Sequence, residues 1–239
     1  MKSFLRGFRD ALPIFFGYLA VSFTFGIAAK TAGLTTVQSV LMSASNVTSA
    51  GQFAAVGLIA SSAGYMEIAL TQLTINLRYC LMSSSLSQRL DEKVPLWHRL
   101  LIAFGVTDEL FGVAISHPEK NVPVIYCLGA MASAIPGWVL GTLIGSVSGS
   151  FLPSNILNAL NIALYGMFIA IVIPPAKKDN RLKCVIAISM ALSFLFSTVN
   201  FLKSISSGFK IIILTILIAS AAALLFPINE DVAQTEEQS

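Results

Sequence analysis

Apolar runs of membrane-spanning length, roughly 17–25 residues, recur at Leu12–Ala29, Tyr65–Leu86, Val122–Val147, Ile156–Ile173, Leu182–Val199 and Phe209–Phe226. Two further stretches, Val37–Ser62 and Trp97–Ser116, are long enough but interrupted. The first contains a small, polar run from Ser43 to Gln52, and the second carries Thr107, Asp108 and Glu109 at its middle. This pattern predicts an all-α, polytopic helical membrane protein with about 6–8 transmembrane segments, two of them broken or re-entrant. Residues 1–228 read as one transmembrane transport domain, and residues 229–239 as an acidic, disordered tail.

Positive charge tests the arrangement, because cytoplasmic loops are enriched in Lys and Arg. The basic clusters are Lys2/Arg6/Arg9, Arg89/Lys93/Arg99 and Lys177/Lys178/Arg181/Lys183. Placing all three in the cytoplasm requires an even number of crossings between successive clusters. Three candidate segments lie in each interval, so one in each must fail to cross, and the interrupted segments are the natural ones. The result is six full spans, two re-entrant or broken segments and both termini inside. The alternative is that all eight cross, which exports the second cluster. A weak internal repeat supports it: Gly17, Gly26, Gly33-Leu34 and Gly51-Gln52-Phe53 loosely parallel Gly137, Gly145, Leu152-Pro153 and Gly166-Met167-Phe168. Composition alone also produces such likeness among Gly-rich apolar helices. The run Leu12–Ala29 is too long for a signal peptide's apolar region and reads as a retained first span.

Composition agrees with the pattern. Of 239 residues 55% are hydrophobic and only 11% charged, with mean hydropathy +0.79, whereas a soluble domain is about 25% charged. The net charge of +3 is too small to suggest nucleic acid. Cys80, Cys127 and Cys184 show no redox or metal spacing, and His98 and His117 have no companion at ligand spacing, so no metal or cofactor is expected. No hydrolase elbow, phosphate loop or dinucleotide fingerprint is present, so the chain does not read as an enzyme.

The chemistry concentrates in the polar residues of apolar segments. On a helix Glu67, Thr71, Thr74 and Arg78 share one face, in a segment that also carries Gln72 and Asn76. Charged groups at bilayer depth face a bundle interior or an aqueous cavity, although Glu67 and Arg78 could instead snorkel to opposite interfaces. If the chain unwinds at Ser45–Ala50 and a half-helix begins near Gly51, its N–H groups suit a substrate carboxylate, with Gln52 as a neutral partner. A kinked helix that satisfies its own backbone is the alternative. Asp108 and Glu109 project differently from a helix, so one suits pairing with Arg78 and the other proton exchange. The ridge Gly137/Gly141/Gly145/Gly149 allows close helix packing, within the chain or against a partner.

Ala50 to Phe53, Asn76 to Arg78, and Thr107 to Glu109, in this order and spacing, resemble the AzlC-type branched-chain amino acid permeases, the large subunits of the LIV-E exporters. The similarity runs from Phe8 to the final span, with the specific motifs in the first half. It implies efflux of leucine, isoleucine and valine, in some relatives methionine, driven by the proton motive force across the cell inner membrane. It also implies a small hydrophobic AzlD-type partner subunit. On this reading Gly51, Gln52, Phe53, Asn76 and Arg78 form the translocation site, and Asp108, Glu109 and Glu67 serve proton coupling or charge pairing. Two departures stand out: Tyr79 occupies the place where the family often has His, and the family is usually drawn with about seven spans. A structural or assembly subunit, or an importer or channel for another solute, remain the rival readings.

Overall fold

The computed structural model describes residues 2–149, 169, 173, 176–177, 179–199 and 205–226. Among them are ten helices and no strand: α1 (Lys2–Asp10), α2 (Leu12–Thr31), α3 (Thr36–Ser45), α4 (Ala50–Ala60), α5 (Tyr65–Gln88), α6 (Leu96–Phe104), α7 (Asp108–Ile115), α8 (Val124–Ser148), α9 (Asn180–Thr198) and α10 (Ser207–Leu225). By length and composition α2, α8, α9 and α10 can each cross a membrane. Helix α5 matches them in length, at 24 residues, and carries the polar stripe. Five of the six uninterrupted apolar runs are therefore helices. The sixth, Ile156–Ile173, lies outside the described residues apart from Ile169 and Ile173. The acidic tail and the second repeat's Leu152, Pro153 and Gly166 to Phe168 lie outside them too.

The chain forms two compact units, Met1–Ser62 with Ile75–Met167, and Ala63–Thr74 with Phe168–Ser239. The second unit contains the first turns of α5 together with α9 and α10, which pack on each other.

The first unit is built on the pair α2 and α8. Helix α2 starts on Pro13, whose fixed φ suits a first turn. It ends where Gly33, at φ +90°, lets the Gly33 and Leu34 N–H groups reach back to the Lys30 and Ala29 carbonyls. The two helices run in the same direction, because their contacts advance together: Gly137 meets Phe15, Gly141 meets Leu19 and Ser22, and Gly145 meets Phe23. Helix α1 extends the same register, with Gly7 against Tyr126 and Gly129 against Phe4. A Cβ on Gly145 would overlap the Phe23 carbonyl oxygen, so only glycine permits this approach. The glycine ridge, read also as a face for a partner subunit, is thus occupied by α2 of the same chain.

Both interrupted segments double back. Thr35 caps α3 in a reciprocal box with Gln38. From there α3 runs against α8, with Thr36 at Ser146 and Ser43 at Thr142. The helix stops at Asn46, and α4 returns: Gln52 touches Ser43 at 3.2 Å, although nine residues of straight helix would separate them by about 13 Å. Further along α4, Val56 packs with Phe25 and Ala29, and Phe53 and Met42 join that cluster. The second hairpin approaches from the other end. Arg99 on α6 bonds Ser87, while Arg89 bonds the His117 and Glu119 carbonyls beyond α7. Both ends of α6–α7 are therefore tied to the end of α5. Its break at Gly105–Thr107 reaches the level of Tyr18 and Met131. Each interrupted segment is therefore a helical hairpin among the described residues.

The first two basic clusters gather at the same end: Arg6 and His117 line one cleft, and Arg89 holds the His117 carbonyl.

Candidate functional site

The two hairpin tips converge on the middle of α5. Val47 of the first and Leu110 of the second share a buried cluster with Tyr18, Ala134 and Trp138. Residues in the two breaks are not helical, so their backbone polar groups at membrane depth must be covered by protein or face water.

On the first tip, Gln52 is completely buried. Its Oε1 accepts from Trp138 Nε1 at 2.9 Å and its Nε2 donates to Ser43 Oγ, which in turn lies 2.7 Å from Thr142 Oγ1. Both polar ends of Gln52 are thus held by the chain itself. Gly51 lies flat against the side chains of Asn76 and Thr48, where a Cβ would come within 2.8 Å of Asn76 Oδ1. Phe53 stands edge-on to Phe25, which stacks on Trp138. Ser49, with φ +44°, turns the chain into α4.

On the second tip, Thr107 caps α7 by accepting from the Leu110 N–H and makes a short contact with the Tyr18 hydroxyl. Asp108 and Glu109 occupy the first turn of α7, where the helix dipole favours negative charge. They diverge as adjacent helical residues must. Asp108 Oδ2 pairs with Arg78 Nη1 at 2.9 Å, whereas Glu109 Oε2 accepts from the Tyr18 hydroxyl at 2.7 Å. The Arg78 and Asp108 side chains remain 44% and 47% exposed. Tyr79 links this pair to the first tip. Arg78 Nη2 donates to its hydroxyl, the guanidinium carbon lies 5.1 Å from its ring centroid, and the hydroxyl donates to the Thr48 carbonyl.

Asn76, Arg78, Asp108 and the Gly51 backbone therefore come together, and Glu109 lies beside them on a different face. Glu67 does not join them. It belongs to the second unit, where its carboxylate accepts from Ser206 Oγ and from Gly208 N at 3.0 Å, capping α10. Tyr18, Trp138 and Thr48 were not legible as site residues. Each sits in an apolar or small-residue run with nothing in its spacing to single it out. Among the described residues no cluster of metal-ligating groups exists.

The fold and the site define a helical membrane protein in which two opposed helical hairpins meet at a charged pair on the long helix α5. The family profile described as AzlC protein matches residues 13–152. The chain belongs to the AzlC family of membrane transport proteins. It is 31% identical over 193 residues to an uncharacterized membrane protein of Archaeoglobus fulgidus, covering 80% of this chain and 84% of the relative. It is 30% identical to the inner membrane protein YgaZ of Escherichia coli K12, covering 77% and 78%. The branched-chain amino acid transport protein AzlC of Bacillus subtilis is 23% identical, with 75% and 70% covered. No solved structure matches the chain significantly.

Proposed function

We propose that this chain is the large subunit of a secondary exporter for branched-chain amino acids, coupled to the proton motive force across the cell inner membrane. The observation that carries the reading is the meeting of two broken helices at the Arg78–Asp108 pair. An ion pair set between two helix breaks is a site that a zwitterion can complete. Its carboxylate suits Arg78, and its ammonium suits Asp108. Gln52 and Phe53 frame that site from behind. The printed name of the Bacillus subtilis relative supports branched-chain amino acids as substrates. Division of labour between the two acids supports proton coupling, since Asp108 is engaged by Arg78 while Glu109 faces elsewhere. The gathering of Lys2, Arg6, Arg9, Arg89, Lys93 and Arg99 towards one end supports cytoplasmic placement of the N-terminus.

The test is leucine efflux from cells loaded with a leucine dipeptide, comparing this gene alone, a co-expressed small AzlD-type subunit alone, and both. Efflux with both and little with either is the expected result. Unchanged leucine efflux in all three would sink the reading. A cytoplasm-active reporter fused after Glu230 should be active, and a silent one would overturn the placement of the C-terminus.

A further inference from the structure

Beside the second hairpin an open cleft of about 490 Å³ lies at the α8 N-terminal end of the first unit. Arg6, Asp10 and Ile14 form one wall, and Glu109, Gly112, Val113, Ser116, His117, Pro118 and Tyr126 form the other. Its charges are mixed. Arg6 lies 3.9 Å from Asp10, and Asp10 Oδ2 accepts from the Tyr126 hydroxyl at 2.8 Å. Glu109 lines the cleft, and its Oε2 accepts from the Tyr18 hydroxyl. Ile14, Val113 and Pro118 add apolar surface. A cation, two carboxylates and an apolar wall in one small cleft are the complement of an α-amino acid with an aliphatic side chain.

Resting on the transport reading above, we propose that this cleft is the loading site for the amino acid, with Glu109 receiving its ammonium. Arg6 takes the α-carboxylate, Ile14 and Val113 the side chain, and Glu109 the ammonium, with Asp10 holding Arg6 in place. The remaining titratable neighbours are Asp10, His117 and Tyr126 on the cleft walls, with Tyr18 behind Glu109 and Asp108 turned towards Arg78.

Leucine binding to the purified full chain in nanodiscs, with its small subunit when the two co-purify, tests this. Calorimetry gives the affinity. Wild type should bind leucine at least tenfold more tightly than 4-methylpentanoate, which lacks the ammonium. Arg6→Gln should weaken leucine binding at least tenfold, with recovery in Arg6→Lys, and Glu109→Gln should remove the preference for leucine over 4-methylpentanoate. Gly112→Leu keeps the test independent of folding. Nothing lies within 4 Å of a Cβ built at Gly112, and leucine is the better helix former, so the fold is kept while the cleft is filled. That variant should also lose at least tenfold in affinity. Leucine export with unaltered apparent affinity in Arg6→Gln and Gly112→Leu would overturn the loading site while leaving the transport reading intact. A preference for leucine surviving in Glu109→Gln would overturn the role of Glu109. Absence of branched-chain export in the wild type would remove the transport reading itself.

Discussion

The two helical hairpins look alike in outline and differ in what their polar groups face. In the first, Ser43, Gln52, Thr142 and Trp138 bond to one another in a site closed to solvent. In the second, Thr107 is buried, but Asp108 and Glu109 are exposed and point to Arg78 and to an open cleft. A fully satisfied buried network rigidifies and has no capacity left for a ligand. Charges that keep contact with solvent can change partners. The first hairpin is therefore a frame and the second an instrument, although both begin as a polar interruption in an apolar run.

The largest expected effect breaks the pair that joins the instrument to α5. Arg78→Gln should lower leucine efflux at least a hundredfold, about 2.8 kcal/mol, and leave Asp108 without its counter-ion. Adding Asp108→Asn should recover folded yield relative to Arg78→Gln alone. Strictly additive losses in that cycle would deprive the pair of energetic meaning.

Next in size is a break in the frame. Gln52→Leu leaves the Trp138 N–H and Ser43 hydroxyl without their partner and should cost about 2–4 kcal/mol of stability, read from unfolding in detergent. Efflux per folded molecule should stay within about threefold, since an uncharged frame residue contributes under about 1 kcal/mol of binding in this scheme. A fall as deep as that of Arg78→Gln would show the first hairpin to touch substrate and end the comparison.

Two smaller changes sharpen it. Thr107→Ala removes the cap of α7 and the contact with Tyr18, so it should cost about 1 kcal/mol, with Thr107→Ser restoring most of that in the same unfolding measurement. Ser49→Gly relaxes a left-handed residue at the first tip and should raise the unfolding midpoint by an amount worth up to about 1 kcal/mol. Stabilisation with unchanged efflux fits a frame; stabilisation with slower efflux would mean that strain at this tip is used in transport.

Much of the architecture was legible along the chain. Apolar run lengths fixed the helices that could span, and the polar interruptions at 43–52 and 107–109 fell where helices end. Charge parity left a six-span and an eight-span arrangement open, because lysines and arginines constrain the side a loop takes and not which segment crosses. The glycine ridge was legible as a packing surface, but not whose helix fills it: a row of small residues specifies close approach without naming the partner. Among the site residues, Arg78 and Asp108 stood out as charges that need company.

The sequence by itself determined that this is a helical membrane protein with two broken segments and a few costly charges, since desolvation makes such residues conspicuous wherever they fold. Only the tertiary structure decided which acid pairs with Arg78, that Gln52 is held by Trp138 and Ser43, that Glu67 caps α10, and that Tyr18 and Arg6 belong with Glu109. Those partners lie far apart along the chain, and hydrogen bonds and ion pairs act over a few ångströms of space. Periodicity reports the face a residue occupies on its own helix; the packing of α2 on α8 and the return of each hairpin decide what that face meets.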